Sequence, residues 1–260
     1  MILIYKPQGF TPLEVIKYLQ NIEKTSSKLA YAGRLDPMAE GLLLILENDE
    51  CKDRKSFENL DKTYEFEAFF GLSTDSYDTL GIITKENIIR DYPEPKNLEK
   101  YILNHSHIFN QPYPPYSSAR VCGKPLFYWA RNGVISNIEI PSKKVTIKDI
   151  KLTSYTKWPF ELLYEKITKN INSVNGDFRQ DIILNNWKTI RVKLKNAELV
   201  VAKFLIQCST GFYVRAYVNK MGEDLNIPAT TLSIKRISIG NFKITDQSVI
   251  QLPDLLRERG

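Results

Sequence analysis

Short strand-like runs alternate irregularly with helical patterns along this chain, and neither an internal repeat nor a break in composition divides them. That order points to one α+β domain with a mixed or antiparallel central sheet flanked by helices. The chain has 260 residues, 43% of them hydrophobic, enough for a substantial core in one large domain or two smaller ones. With no break to cut at, residues 1–260 read as a single domain.

Ile2 to Tyr5 reads as a buried strand that Lys6-Pro7-Gln8-Gly9 ends. Thr11 suits a helix N-cap with Pro12 in the first position, and Leu13, Ile16, Leu19 and Ile22 recur at helical spacing over 12–23. Tyr64, Phe66, Ala68 and Phe70 alternate with Glu65, Glu67 and Phe69, the pattern of a half-exposed strand. Residues 71–81 read as a loop and 93–107 as a helix. The prolines of 111–118 exclude regular structure there. A helix over Leu126–Asn132, strands over Ser142–Leu152 and Leu199–Cys208, and a helix over Phe212–Leu225 follow. Thr231 to Ile244 reads as a helix or a strand pair turning at Gly240-Asn241. The Asn- and Lys-rich stretch 156–196 shows poor patterning and reads as an insertion of mixed structure.

The formal net charge of +6 favours a polyanionic partner such as nucleic acid. The three cysteines, Cys51, Cys122 and Cys208, are odd in number and dispersed, which fits structural thiols and no disulfide framework. His105 and His107 have no neighbouring cysteine, so no metal site is expected. No apolar run approaches the about 20 residues that span a bilayer. The N-terminus lacks the features of a signal peptide. The expectation is a soluble, cytoplasmic protein without membrane attachment.

Asp36 lies in Gly33-Arg34-Leu35-Asp36-Pro37, ahead of the apolar run Leu42 to Leu46. Pro37 disfavours the helical region for Asp36 and holds the acid on extended or turning backbone. Such an acid is presented like a catalytic group; a surface Asp in an ordinary turn is the plainer alternative.

The stretch from Gly33 to Pro37, with Ala39, Gly41, Leu42 and Leu43 behind it, resembles the catalytic motif of the TruB family of tRNA pseudouridine synthases. Further blocks resemble that family in the same order. They are Lys6-Pro7 with Gly9, Lys62-Thr63-Tyr64, Gly71 to Gly81, Gln111 to Lys124, Ala130-Arg131 with Gly133, Cys208 to Arg215, and Ile234-Lys235-Arg236 with Gly240 and Phe242. Only about 156–196 falls outside.

The resemblance implies the pseudouridine synthase catalytic fold and cofactor-free isomerisation of uridine to pseudouridine in RNA, at U55 in the T-loop of tRNA. It makes Asp36 the catalytic carboxylate, acting after base flipping as nucleophile or as base on a ribose proton. Tyr64 becomes the aromatic that stacks on the flipped uracil, against the alternative of a core tyrosine. Arg215 becomes the counter-charge that keeps Asp36 ionised and oriented, against a solvated or phosphate-binding arginine. Asp78 is implied as a support that hydrogen-bonds to Tyr64 or Arg215, or else as a turn former. Lys6, Tyr31, Tyr213 and Ile234 join Asp78 around the substrate. Lys6, Arg34, Lys62, Arg120, Lys124, Arg131, Lys235 and Arg236 are expected to converge as a phosphate-tracking face.

The pattern also departs from the family. Tyr31 stands where a histidine is usual, and Glu40 where a threonine is. The chain ends soon after Arg236, which implies no C-terminal PUA-type RNA-binding domain. Basic residues of 156–196, Lys157, Lys166, Lys169, Arg179, Lys188, Arg191, Lys193 and Lys195, interleave with Trp158, Phe160, Tyr164, Phe178 and Trp187. They are candidates to replace its grip on RNA, with a structural embellishment as the alternative. The expected partner is the T-arm of tRNA, met by a monomer. A synthase of ribosomal RNA and a non-catalytic RNA-binding or folding protein on the same fold are the other readings.

Overall fold

A computed structural model of the protein describes residues 1–23, 27–87, 92–104 and 107–252. The strands are β1 (Ile2–Lys6), β2 (Leu29–Ala32), β3 (Ala39–Glu47), β4 (Lys62–Phe70), β5 (Leu72–Thr74), β6 (Ile83–Glu86) and β7 (Ile108–Pro112). The later ones are β8 (Arg120–Val121), β9 (Lys124–Pro125), β10 (Ser142–Pro159), β11 (Glu198–Cys208), β12 (Ala229–Ile239), β13 (Phe242–Lys243) and β14 (Val249–Gln251). The helices are α1 (Pro12–Glu23), α2 (Arg54–Glu58), α3 (Pro95–Asn104), α4 (Leu126–Arg131), α5 (Phe160–Asn172), α6 (Gln180–Leu194) and α7 (Val214–Asp224).

The main sheet runs β14-β1-β3-β12-β4-β11-β10-β7, with β2 on β3 and β13 on β12. It is mixed, as expected. β1 pairs β14 and β12 pairs β3 in parallel, and the remaining pairs are antiparallel. On β4 the alternation works as read. Tyr64, Phe66, Ala68 and Phe70 enter one core with α3 and α7, where Phe66 stacks on Phe204 at 4.9 Å. Phe69 points the other way, into a second core with α5 and α6. Smaller clusters hold α1 against Ile4, Leu43 and Ile45, and Phe57 against Leu42, Leu44 and Leu46.

α1 starts at a capping box: the Glu14 N–H donates to Thr11 Oγ1 at 3.2 Å, and the Thr11 N–H donates to Glu14 Oε2 at 2.7 Å. Ile16 and Leu19 are buried, but Leu13 faces solvent, and the Ile22 side chain lies outside the described residues.

Several expectations need correction. Residues 71–81 contain the short strand β5, paired with β6. Gln111-Pro112 closes strand β7, which among the described residues pairs only with β10 at the sheet edge; proline is tolerated there because an edge strand leaves one side of its backbone unpaired. The strand from Ser142 runs on to Pro159; of the two readings for Thr231 to Ile244, the strand pair turning at Gly240-Asn241 is the one that forms. The expected helix over 93–107 is α3, and residues 105–106 lie outside the described residues. The largest difference is 156–196. It forms two regular helices on the β10–β11 connection, with Phe160, Leu163, Ile167 and Ile171 facing Ile183, Trp187, Ile190 and Leu194 in one core. Each such side chain contributes about 1.5–3 kcal/mol by burial.

Candidate active site

The turn that carries Asp36 is fixed from several sides. The Ala39 N–H donates to the Asp36 carbonyl at 3.0 Å and the Gly9 N–H to the Pro37 carbonyl at 2.8 Å. Behind the turn, β3 pairs with β12 so closely at Gly41 that a Cβ would sit 2.3 Å from the Arg236 carbonyl oxygen. Gly41 also has φ +110, a conformation glycine adopts freely. Arg236 then reaches back beneath the turn: Nε donates to the Leu42 carbonyl at 2.8 Å and Nη1 to the Arg34 carbonyl at 2.9 Å.

Arg215 sits in the first turn of α7 with its side chain 3% exposed, while the Asp36 side chain is 35% exposed. Its Nε donates to Asp36 Oδ2 at 2.7 Å and lies 3.5 Å from Asp78 Oδ2. Nη1 donates to the Ser76 carbonyl at 2.7 Å and Nη2 to the Tyr116 carbonyl at 3.4 Å. A buried guanidinium is tolerable only with such pairing. Burial alone would lower its pKa, but the Asp36 and Asp78 carboxylates push it up.

Asp78 is buried, and burial raises its pKa against the pull of Arg215 and of the Ser76 hydroxyl, which donates to Oδ1 at 2.6 Å. The Leu80 N–H donates to the same oxygen at 3.0 Å. Of the two partners expected for Asp78, the structure pairs it with Arg215.

Tyr64 is buried on β4, in one apolar cluster with Leu35, Ala39 and Ile234. Burial raises its hydroxyl pKa against the opposing pull of Arg236, and the Asp36 charge adds to the rise, so the ring stays neutral. Tyr213 precedes α7; burial and then the Asp36 charge push its hydroxyl up to about 12. Its backbone is held by Gln111, whose Nε2 donates to the Tyr213 carbonyl at 3.0 Å while Oε1 accepts the Tyr213 N–H at 2.8 Å.

Lys6 is fully buried and donates to the Phe10 carbonyl at 2.6 Å and the Pro7 carbonyl at 3.0 Å. Burial lowers its pKa to about 7, and the Asp36 charge opposes that shift.

Asp36, Arg215, Asp78, Tyr64, Tyr213, Lys6 and Ile234 therefore gather around the turn. Tyr31 goes elsewhere. It packs with the α1 cluster, and the Arg54 guanidinium lies 5.1 Å from its ring centroid. The expected phosphate-tracking face is also corrected. Lys6, Lys62 and Arg236 point inward, Lys62 donating to the Glu58 and Leu60 carbonyls, while Arg34, Arg120, Lys124 and Arg131 are exposed. In the α5–α6 hairpin, Phe160 and Trp187 are core residues, and Lys166, Arg179, Arg191 and Lys193 are paired with Glu67, Asp75, Glu161 and Glu86. Sequence reasoning gave no role to Gln111, Ser76 or Gly9. All three lie in blocks that resemble the family, Gly9 beside Lys6-Pro7, Ser76 within Gly71 to Gly81 and Gln111 at the head of Gln111 to Lys124, and that membership was the signal for them. Among the described residues there is no group of three or more His, Cys, Asp or Glu that could hold a metal ion, and His105 lies outside them. No helix among them is long and apolar enough to cross a membrane.

Comparison with known proteins adds to this geometry. Residues 20–177 match the TruB family pseudouridylate synthase N-terminal domain. A protein of Clostridium kluyveri named tRNA pseudouridine synthase B is 28% identical over 96% of this chain and 71% of its own length. Proteins of the same name from Malacoplasma penetrans and Aquifex aeolicus are 27% and 29% identical, over 93% and 94% of this chain and 85% and 70% of their own lengths. Among solved structures, a chain of a Cbf5–Nop10–Gar1 complex superposes with a TM-score of 0.59 at 16% identity, over 98% of this chain and 53% of that one. That likeness concerns the fold alone. With the domain match covering more than half of its residues, the chain belongs to the TruB family of pseudouridylate synthases.

Proposed function

We propose that the protein isomerises uridine to pseudouridine in tRNA, at U55 of the T-loop, with Asp36 as the catalytic carboxylate. The observation that carries this reading is the Asp36–Arg215 pair. A partly exposed carboxylate is held at 2.7 Å by a guanidinium that is itself buried and bonded to two carbonyls. Binding alone has no use for that arrangement, whereas a reacting carboxylate beside C1′ needs a fixed position and a fixed charge.

The isomerisation is internally balanced. The bond from C1′ to N1 breaks, a bond from C1′ to C5 forms, and the proton lost from C5 is matched by one gained at N1. No cofactor is required. The uridine must leave its stack for C1′ to reach Asp36. Tyr64 supplies a neutral ring to hold the extruded base, with Ile234 and Leu35 as the apolar wall beside it. Asp36 acts as nucleophile or as base on the ribose.

Residues 1–260 act in this reading as one catalytic unit, a cytoplasmic monomer that meets the T-arm. Unmodified tRNA incubated with the protein and then mapped for pseudouridine tests the proposal. Modification at U55 is expected; tRNA that is bound but never modified would leave a binding protein on a synthase fold. A second reading, a different RNA target such as ribosomal RNA, is favoured by Tyr31, which stands at the family's histidine position and faces Arg54. Modification of ribosomal RNA fragments but not of tRNA would select it.

A further inference from the structure

The short linker between α5 and α6 touches the active site from outside at several points. Arg179 grips Asp75 with both guanidinium arms, Nη1 to Oδ2 at 2.9 Å and Nη2 to Oδ1 at 3.4 Å. Its Cζ lies 4.4 Å from the Tyr116 ring centroid, and the Tyr116 hydroxyl donates to the same Asp75 Oδ2 at 2.9 Å. The Arg179 and Asp75 side chains are 18% and 25% exposed, so the pair is largely shielded from water. Forked contacts of this kind fix orientation as well as charge. Asp75 also closes the loop that follows it, accepting the Ile82 N–H at 2.8 Å.

The two residues that Arg179 holds bear directly on Arg215. Ser76, next to Asp75, and Tyr116 itself supply the two carbonyls that bind the Arg215 Nη atoms. On the other side of the site, the Asn175 N–H donates to the Gly9 carbonyl at 3.2 Å, and the Gly9 N–H donates to the Pro37 carbonyl beside Asp36. A Cβ on Gly9 would lie 2.1 Å from the Ser173 carbonyl oxygen, so the linker is seated against that turn as closely as glycine permits. Arg131 of α4 donates to the Asp177 carbonyl. Arg179 itself adopts a left-handed conformation, φ 66, which is uncommon for a non-glycine residue.

We propose that the α5–α6 linker is a clamp on the catalytic pair, and that Arg179 is a positioning residue that sets Arg215 against Asp36 through Asp75 and Tyr116. The α5–α6 hairpin thereby acts on the rate of the chemical step and not on the grip on RNA. The rate part of this inference rests on the proposed function; the clamp itself does not.

The test compares the full-length protein with Arg179→Ala, Arg179→Lys and Tyr116→Phe. Amide hydrogen exchange over residues 75–82 and 113–118 reads the clamp without reference to activity. Single-turnover pseudouridine formation and tRNA binding, measured separately, read its effect. Arg179→Ala is expected to speed exchange in both segments and to slow the single turnover about tenfold or more, with tRNA affinity within about twofold. Arg179→Lys keeps the charge but loses the fork and is expected to recover part of the rate, and Tyr116→Phe to show a smaller loss in the same direction. Unchanged exchange in Arg179→Ala would overturn the clamp. Faster exchange with an unchanged turnover rate, or a loss confined to tRNA affinity, would overturn the positioning role. If the unaltered protein modifies no RNA, the functional reading falls, and exchange alone decides the clamp.

Discussion

Arg215 and Asp36 lie 179 positions apart in the chain, yet Arg215 Nε donates to Asp36 Oδ2 at 2.7 Å. The pair joins the turn before β3 to the start of α7. It makes one half-open carboxylate the outer end of a buried chain of charges, with Asp78 on its inner side.

The outer end carries the chemistry in the proposed mechanism. Asp36→Asn keeps the shape of the turn and removes the charge. It is expected to abolish pseudouridine formation while leaving tRNA affinity within about threefold, because affinity for nucleic acid comes mainly from cations on phosphates and the substitution removes no cation. A gel-shift titration beside a pseudouridine assay checks this, and full activity in the variant would remove Asp36 from its role.

The inner end carries stability. Arg215→Ala strands the Asp78 carboxylate in the core, and breaking a buried pair in this way costs about 3–5 kcal/mol. Adding Asp78→Asn to Arg215→Ala is expected to return part of that loss, since the stranded charge is then gone. Urea denaturation of the single and double variants gives the comparison; equal stability of the two would mean that Asp78 is already neutral without its partner.

Tyr64 is predicted to act through its ring. Tyr64→Phe retains the ring and should keep the turnover rate within about tenfold. Tyr64→Leu removes a stack worth about 1–3 kcal/mol, a rate loss of about five- to hundredfold. A hydroxyl role would erase that difference, with Tyr64→Phe as damaging as Tyr64→Leu.

Lys6 links folding to pH. Its pKa falls from an ordinary 10.5 to about 7 on burial. Between those values the unfolded chain holds a proton that the folded chain has released, so this group makes stability rise with pH across the window. Below about pH 7 both states are protonated and the slope vanishes. Lys62, lowered to about 8, has the same sign and is common to both proteins in a comparison with Lys6→Met. The stability of the native protein relative to Lys6→Met should therefore rise between about pH 7 and pH 10. A flat difference would place the Lys6 proton on both states throughout.

Gly41→Ala tests the support under the turn. The added methyl would meet the Arg236 backbone at 2.3 Å on a φ of +110. Strand separation of that kind costs about 3 kcal/mol or more, read as a lowered Tm, with Arg236 and the turn above it displaced together.

Much of this was legible in local sequence. The N-cap at Thr11, the alternation on β4 and the turn forced by Pro37 each depend on neighbours a few positions apart. α5 and α6 were equally periodic, with Phe160, Leu163, Ile167 and Ile171 on one face. Lysines and asparagines on the outer faces diluted that signal and made core aromatics look like RNA contacts. Cation direction was not legible at all. Lys6 and Lys62 read as surface charge because no sequence pattern marks a lysine that folds back onto carbonyls of its own buried turn, and Arg236 because the Leu42 and Arg34 carbonyls that receive it lie 194 and 202 positions away. The same holds for Gln111, whose reciprocal bonds to Tyr213 span 102 positions.

The place of β12 in the sheet has a consequence for synthesis on the ribosome. It lies between β3 and β4, hydrogen-bonded to both, although it is made long after them. Until residues 229–239 emerge, the strands that carry the Asp36 turn and Tyr64 have an empty slot between them. Closing that slot is a contact of high sequence separation, the slow kind to form. A nascent chain can display the Asp36 turn early, but the proposed site is complete only once β12 has emerged and paired with both neighbours, so a chain halted before residue 229 offers RNA no finished pocket.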